Sequence, residues 1–334
     1  MPSIDNDILD CVIYLYPTEE DAGAGTSAGG TGFLVSIPTG QDVNREHLYA
    51  VTNAHVVGQG EDEGRSPVIR LNTHQGNTDV FPLGCEHWIP HPEGVDLAIY
   101  YFGIVKRDIF QYQAISITRL ITKDWLRNLH VGPGDDVFMV GRFFLHEGIQ
   151  RNTPALRFGS ISMMPNEPVR QPSGVEQESF IVEMRSHSGY SGSPVFLHHP
   201  YPMQHPSIHI DQHMRDSFGP IITTTYPNTK RSTSSKDAWL LGVDWGHLRE
   251  YDPVYKKMEG DADAEPIPVK DLVIKANLGQ SGVVPAWELK DFICSEVFTE
   301  MGEEAENDLR EKKPGSRFVL DVKKPSDFIS LAKR

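Results

Sequence analysis

Three side chains suited to nucleophilic hydrolysis occur along this chain in the order histidine, aspartate, serine. Ser191 has a glycine two residues before it and another directly after it, which predicts a tight turn with an exposed hydroxyl. His55 follows a short apolar strand, and Asp96 opens another one. A serine hydroxyl attacks a carbonyl only when a base such as histidine takes its proton, and a carboxylate can hold that histidine in place. This chain order is one of the known orders of such a triad.

The segments around these residues resemble the trypsin-like (chymotrypsin-fold) serine peptidases, and in motif style most of all the bacterial HtrA-like members. The matching segments are Gly-Thr-Gly-Phe-Leu-Val at 30–35, Thr-Asn-Ala-His-Val-Val at 52–57, Val-Asp-Leu-Ala-Ile at 95–99 and Gly-Tyr-Ser-Gly-Ser-Pro at 189–194. Weaker matches lie at 134–137, 158–162, 241–246 and 282–286. Each segment alone is a weak signal, but together they follow the family's order over residues 7–297.

The resemblance implies an all-β fold of two six-stranded antiparallel β-barrels, followed by a C-terminal helix and an extension. The peptidase domain would cover residues 1–297, with the first barrel at about 7–115 and the second at about 133–287. We expect insertions in the second barrel at 198–237 and 248–268, and a charged C-terminal extension at 298–334. Short β-rich runs bounded by Gly, Pro, Asn and Asp favour the same fold class.

By the same resemblance, Ser191 is the nucleophile, His55 the general base and Asp96 the acid that orients the base. The backbone N–H groups of Gly189 and Ser191 would form the oxyanion hole. These roles predict a serine endopeptidase that cleaves protein substrates through an acyl-enzyme, with no cofactor and no metal. Ser193 is a rival nucleophile, but it stands where the family commonly has a second glycine.

Two further residues depart from the trypsin pattern. Tyr190 replaces the aspartate that pairs with a newly cut N-terminus in trypsin-type zymogens, which argues against that mode of activation. Asp244 precedes Trp245 and Gly246, at a position where trypsin-type enzymes usually carry serine. A second acid near Asp96 would perturb the triad.

The resemblance also names Arg185, Trp245 and Gly246 as substrate-binding residues. In this family the residue six before the nucleophile lies at the floor of the primary pocket, and here that residue is Arg185. A buried guanidinium needs an acidic partner, so one hypothesis is a preference for Asp or Glu side chains in the substrate. The alternative, at least as well supported, is an internal ion pair with Glu183 or Asp244.

The composition limits the partners and the compartment. The chain has 46 acidic and 31 basic residues and a formal net charge of -15, which argues against nucleic acid and membrane as partners. Its three cysteines show no disulfide or zinc spacing. The acidic N-terminus and the short apolar run at 8–16, broken by Asp10, predict no signal peptide and no transmembrane helix. We therefore expect a cytoplasmic protease acting on a protein or peptide substrate, and regulated, for example by an activating protein partner.

Other interpretations stay open at this point. Residues 189–193 nearly fit the nucleophile elbow of α/β-hydrolases with His247 as base, but that fold needs alternating strands and helices, which the pattern lacks. The chain could also be a catalytically latent or inactive peptidase-like barrel that acts as a regulated protein-binding module. A histidine-rich stretch favours a solvated loop over a metal site. Its members are His198, His199, His205, His209 and His213.

Overall fold

The apolar segments of the chain pair into two mainly antiparallel β-units. The structure, a computed structural model, describes residues 4–39, 44–58, 65–106, 110–128, 130–143, 148–171, 174–184, 189–198, 207–210, 222–225, 238–256, 267–311 and 319–320. The strands of the first unit are β1 Val12–Tyr16, β2 Gly30–Pro38, β3 Arg45–Thr52, β4 Val68–Asn72, β5 Thr78–Phe81, β6 Ile89–Pro90, β7 Ala98–Lys106 and β8 Ile115–Ser116. They pair in the order β7-β3-β2-β1-β4-β5, with β6 on β7 and β8 on β2.

Strand β1 shows why these segments are strands. All five of its residues are buried, and successive side chains of a strand point to opposite faces. Ile13 and Leu15 therefore enter the core of the first unit, whereas Tyr14 and Tyr16 enter a cluster that continues into the second unit. A strand that is buried on both faces needs this unbroken apolar run.

The second unit is a closed antiparallel barrel. The strands that follow in the chain are β9 Asp136–Arg142, β10 Pro154–Met163, β11 Pro168–Arg170, β12 Glu176–Glu178, β13 Phe180–Glu183, β14 Pro194–Leu197, β15 Ser207–Ile210, β16 Ile222–Thr225, β17 Trp239–Lys256 and β18 Ile267–Pro285. The barrel closes in the order β10-β13-β18-β17-β14-β9, while β11 pairs with β12 and β15 with β16. Its core contains Val137, Phe180, Val195 and Leu241, all fully buried.

Five α-helices occur among the described residues. They are α1 Glu19–Ala24, α2 Ala54–Val57, α3 Lys123–Asn128, α4 Ala286–Ile293 and α5 Glu296–Arg310. Helix α1 begins where the Thr18 hydroxyl accepts the Asp21 backbone N–H and ends at Gly25, whose φ of 69° is left-handed. In the part of the chain that the structure describes, none of the helices combines the length and the apolar character needed to cross a membrane.

The C-terminal extension packs on the first unit. Phe298 of α5 is buried and makes an edge-to-face contact with Tyr49 of β3, their ring centroids 5.8 Å apart. A last strand, β19 Val319–Leu320, pairs in parallel with Ile104 and Val105 at the edge of β7. The extension therefore contributes both a helix and a strand to this unit.

The fold class predicted by the family resemblance is confirmed. The chain is mostly β, one unit is a closed six-stranded barrel, and helices gather near the C-terminal end of the described chain. The first unit differs in detail, because its described strands form a curled nine-stranded sheet whose end strands do not join. This mainly antiparallel arrangement lacks the alternating strands and helices that the α/β-hydrolase interpretation requires, and therefore excludes it.

The two predicted insertions contain strands. Within 248–268, β17 and β18 continue past the barrel as a two-stranded arm, which ends where Lys256 pairs with Ile267. Residues 257–266 lie outside the described residues. Within 198–237, the structure describes His198, the pair β15 and β16, and no other residues. The predicted boundaries of the domain, insertions and extension stay predictions.

Candidate active site

His55 and Asp96 meet because their strands are neighbours. β3 pairs with β7, and Thr52 lies opposite Ala98 at the end of that pairing. His55 follows Thr52 by three residues, in α2, and Asp96 precedes Ala98 by two. Nδ1 of His55 lies 2.7 Å from Oδ2 of Asp96, and Oδ1 of Asp96 accepts the backbone N–H of His55 at 3.1 Å. The structure thus brings two of the predicted triad residues into direct contact.

Two amide side chains hold the backbone of Asp96 in place. Nδ2 of Asn53 donates to the Asp96 carbonyl at 2.8 Å, and Oε1 of Gln177 accepts the Asp96 backbone N–H at 2.8 Å. Asp96 is buried, whereas 46% of the His55 side chain is exposed. A buried acid therefore orients a histidine that a substrate can reach. Sequence reasoning missed Gln177, which lies on β12 and carries no local signal.

The loop that carries Ser191 forms backbone hydrogen bonds with both units. On the first unit, the Thr31 backbone N–H donates to the Ser191 carbonyl at 3.0 Å. On the barrel, the Gly192 N–H donates to the Asp244 carbonyl at 2.8 Å, and the Asp244 N–H donates to the Ser193 carbonyl at 2.9 Å. Ser191 therefore lies at the junction between the two β-units.

Position 192 requires glycine for two reasons, its backbone conformation and the lack of room for a side chain. Its φ of 87° is left-handed, and a Cβ at this position would lie 2.0 Å from the Thr31 carbonyl oxygen and 2.3 Å from Thr52 Oγ1. Thr52 stands three residues before His55. The loop of Ser191 is therefore packed closely against the strand that precedes His55.

The hydroxyl of Ser191 donates to the Trp245 carbonyl at 3.4 Å. Among the described residues it makes no hydrogen bond with His55. The backbone N–H groups of Gly189 and Ser191 donate to no other described group. Their role as donors to an oxyanion stays a prediction.

The charge state of His55 is set by burial and by two acids. Burial lowers the pKa of His55, but the hydrogen bond and charge of Asp96, together with the charge of Asp244, outweigh it. The pKa of His55 is consequently raised above its ordinary value. The site favours the protonated imidazole, which is the form that proton transfer from a serine would produce.

Asp244, the departure from the trypsin pattern, lies at this site. It is fully buried on β17, and its carboxylate accepts a hydrogen bond from the Ser281 hydroxyl. The predicted second acid is thus close enough to influence His55 electrostatically.

The predicted substrate-binding residues have different surroundings. The Trp245 indole is buried in the hydrophobic core, with Nε1 donating to Ser179 Oγ at 3.1 Å. Gly246 is half-buried with a φ of 146°, and a Cβ there would lie 3.9 Å from Ser191 Oγ. Arg185 lies outside the described residues. Their roles towards substrate stay predictions.

The histidine-rich stretch is only partly described. His198 packs edge-to-face against Phe138 and Phe158, with ring centroids 6.2 Å and 6.4 Å away. The backbone of His209 belongs to β15. The remaining predicted members, His199, His205 and His213, lie outside the described residues.

Comparison with known proteins agrees with this architecture. A family model described as "trypsin-like peptidase domain" matches residues 30–199. No curated protein matches the chain.

Several solved structures are also similar. An inactive-form serine-to-alanine mutant of Rv3671c from M. tuberculosis H37Rv is 12% identical, with a TM-score of 0.42, and the alignment covers 88% of this chain and 93% of that chain. Another inactive form of the Rv3671c protease is 13% identical, with a TM-score of 0.41 and coverage of 87% and 96%. Deg5 is 18% identical, with a TM-score of 0.35 and coverage of 57% and 76%. Because the family model spans more than half of its residues, the chain belongs to the trypsin-like peptidase domain family.

Proposed function

We propose that this protein is a serine endopeptidase with His55, Asp96 and Ser191 as its triad. The observation that carries the proposal is the 2.7 Å contact between His55 Nδ1 and Asp96 Oδ2. This contact commits Nδ1 to the buried acid, so Nε2 is the ring nitrogen that can take a proton. The proposal is also supported by the loop of Ser191, which is hydrogen-bonded to Thr31 and Asp244 and packs at Gly192 against Thr52, three residues before His55.

In the proposed reaction, the Ser191 hydroxyl leaves the Trp245 carbonyl and turns towards His55. Its oxygen attacks the substrate carbonyl carbon while its proton passes to Nε2 of His55, and Asp96 stabilises the resulting imidazolium. The oxyanion accepts hydrogen bonds from the N–H groups of Gly189 and Ser191. His55 then gives the proton to the leaving amine as the C–N bond breaks. Water next attacks the acyl carbon and gives a proton to His55, which returns it to Ser191 Oγ as the ester bond breaks.

The surroundings of Tyr190 support an active site that forms without proteolytic cleavage to create a new N-terminus. Its side chain is fully buried, and the guanidinium of Arg157 lies 4.6 Å from its ring centroid. An aromatic anchor in the core can hold the loop where an ion pair holds it in trypsin-type enzymes.

A second candidate function is a latent form that works as a protein-binding module. The observation in its favour is the hydrogen bond of Ser191 to Trp245, because a hydroxyl held there is not yet engaged by the base. An activating protein partner would shift the hydroxyl to His55, whereas an inactive barrel would never do so.

The test of endopeptidase activity is cleavage of an unfolded protein such as reduced casein, with the products mapped by mass spectrometry. We expect internal cleavage by the wild-type chain and none by Ser191→Ala. A bias of the mapped sites towards Asp or Glu would support the hypothesis for Arg185. Equal cleavage by both proteins would contradict the proposed triad, and no cleavage by either would favour the latent form.

A further inference from the structure

We propose that Thr31 is a positioning residue of the catalytic centre, which holds in place the two residues of the predicted oxyanion hole. Thr31 lies near the start of β2 and is fully buried. The inference rests on the proposed function. It assigns a role to a hydroxyl that the His55–Asp96–Ser191 mechanism does not use.

Thr31 donates two hydrogen bonds to the loop of Ser191. Its hydroxyl Oγ1 donates to the Gly189 carbonyl at 2.7 Å, and its backbone N–H donates to the Ser191 carbonyl at 3.0 Å. Gly189 and Ser191 are the two residues whose N–H groups bind the oxyanion in the proposed reaction. One threonine therefore fixes the backbone of both.

The direction of the hydroxyl bond follows from a second partner of Thr31 Oγ1. The backbone N–H of Arg142, on β9 of the barrel, donates to this oxygen at 3.4 Å. An N–H can only donate and a carbonyl can only accept, so the hydroxyl accepts from Arg142 and donates to Gly189. A residue of the first unit therefore connects β9 with the loop of Ser191.

Gly189 depends on an anchor outside its own residue. Its φ of 92° is left-handed, and a glycine backbone changes conformation readily. A side chain at position 189 cannot serve as the anchor, because a Cβ there would lie 2.1 Å from Nη2 of Arg142. Loss of the Thr31 hydrogen bond would let the Gly189 N–H turn away from the oxyanion. An oxyanion hole lowers the barrier only when its donors are already in place, so this loss acts on the transition state.

A second hydroxyl links Thr31 to the strand that precedes His55. Oγ1 of Thr52, which is fully buried, donates to the Thr31 carbonyl at 2.7 Å. Thr52 is the last residue of β3, and His55 follows it by three residues. The contacts of Thr31 therefore join the part of the site that carries the base to the part that carries the nucleophile.

The test compares Thr31→Val with Thr31→Ser in the full-length chain. Valine keeps the shape of the side chain and the backbone N–H but removes the hydroxyl, whereas serine keeps the hydroxyl and loses only a methyl group. On a peptide that the wild type cleaves, we expect Thr31→Val to lower kcat at least about tenfold and to leave KM within about twofold. Thr31→Ser should keep kcat within about threefold of the wild-type value.

The matched control is Thr39→Val, the same substitution directly after the other end of β2. Thr39 is also buried, and its hydroxyl donates to the Arg45 carbonyl at 3.2 Å. This variant should leave kcat and KM unchanged. A kcat of Thr31→Val equal to that of wild type, or a Thr31→Ser variant as slow as Thr31→Val, would overturn the inference. If Thr31→Val does not fold, Thr31→Ala removes the same hydroxyl and takes less space.

Amide hydrogen exchange separates this inference from the proposed function, because it needs no activity. The Gly192 N–H donates to the Asp244 carbonyl, so its exchange rate reports how often the loop of Ser191 opens. We expect this N–H to exchange at least about tenfold faster in Thr31→Val than in wild type and Thr39→Val. Faster exchange in a chain whose wild type cleaves no substrate would contradict the proposed function and keep the anchoring role. A wild type that cleaves, with kcat and exchange both unchanged in Thr31→Val, would contradict only the role of Thr31.

Discussion

Asp96 holds His55 at two points: Oδ2 lies 2.7 Å from the ring nitrogen Nδ1, and Oδ1 accepts the backbone N–H at 3.1 Å. One carboxylate thus fixes the imidazole relative to its own backbone. This double contact requires two acceptor oxygens on the same side chain. It is the geometric reason why an acid, rather than an amide, is needed at this position.

Asp96→Asn should abolish most of the activity while the chain stays folded. An asparagine has one acceptor oxygen for two donors, so the histidine is held in the wrong tautomer or loses its backbone contact. We expect kcat to fall by on the order of 10³–10⁴, measured on a peptide that the wild type cleaves. Asp124→Asn is the control, since Asp124 is an exposed acid in an ion pair with Arg127. Comparable kcat values for Asp96→Asn and wild type would contradict the role of Asp96.

The pH dependence should show an acid limb at higher pH than an ordinary histidine gives. His55 must be neutral to accept a proton, so the rate of fluorophosphonate labelling rises as pH rises through its pKa. Because Asp96 and Asp244 outweigh the effect of burial and raise that pKa, the rise occurs above the range of an unperturbed histidine. The measurement is the labelling rate between about pH 5 and 9. An acid limb below the usual histidine range would contradict this electrostatic account.

The raised pKa of His55 also affects the stability of the fold. This contribution decreases as pH rises, whereas the labelling rate increases. A group whose pKa is higher in the folded than in the unfolded chain stabilises the fold at low pH. The contribution of His55 is complete below its unfolded pKa and is lost as pH rises through the folded pKa. The free energies of unfolding of wild type and His55→Gln, measured in urea, should therefore differ more below the unfolded pKa of histidine than above the folded pKa of His55. A difference that grows with pH would contradict the assignment.

Gly192→Ala should disrupt the nucleophile loop more than a glycine substitution elsewhere. Both Gly192 and Gly76 have left-handed φ angles, of 87° and 85°. A Cβ at Gly192 would collide with Thr31 and Thr52, whereas a Cβ at Gly76 has nothing within 4 Å. Gly76→Ala should cost about 1 kcal/mol of unfolding free energy and keep labelling. Gly192→Ala should cost more and lose labelling, and equal losses in the two variants would contradict the packing argument.

Arg70→Met should lower the free energy of unfolding, because it removes buried hydrogen bonds that join β4 to Tyr16 and to the segment at 148–149. The fully buried guanidinium donates to Tyr16 Oη at 3.0 Å and to the carbonyls of Gly148 and Ile149 at 2.8 Å and 3.2 Å. Its loss leaves buried acceptors without donors, at a cost on the order of 2–4 kcal/mol. Urea denaturation measures this, with Arg310→Met on the surface as control. A loss no larger than the control's would contradict the role of Arg70.

The sequence was sufficient to predict the fold class and to single out His55 and Asp96, whose side chains are in contact. His55 and Asp96 stand at the ends of adjacent apolar strands, and glycines mark the turn of Ser191, so each carries a local signal. Gln177 carries none, because it reaches Asp96 from β12 across 81 residues of chain. Contacts of this kind depend on how the two units pack, which local patterns do not encode.

Other features also depended on tertiary structure. The resemblance identified Asp244 as a departure, but only the fold shows that it is fully buried and anchors the loop of Ser191. The arm of β17 and β18 was predicted as an acidic insertion because acids concentrate at 261–265. Its strands pair with each other beyond the barrel, and that pairing is a tertiary feature. The hydrogen bond of Ser191 to Trp245 reflects a side-chain rotamer, which sequence cannot predict.

The most direct test of the central claim is labelling of the folded chain with a fluorophosphonate probe. The account predicts labelling of the wild type at one site, loss in Ser191→Ala and in His55→Ala, and retention in Ser193→Ala, whose hydroxyl is fully buried. Labelling that persists in Ser191→Ala, or that depends on Ser193 instead, would contradict the assignment of Ser191 as the nucleophile paired with His55.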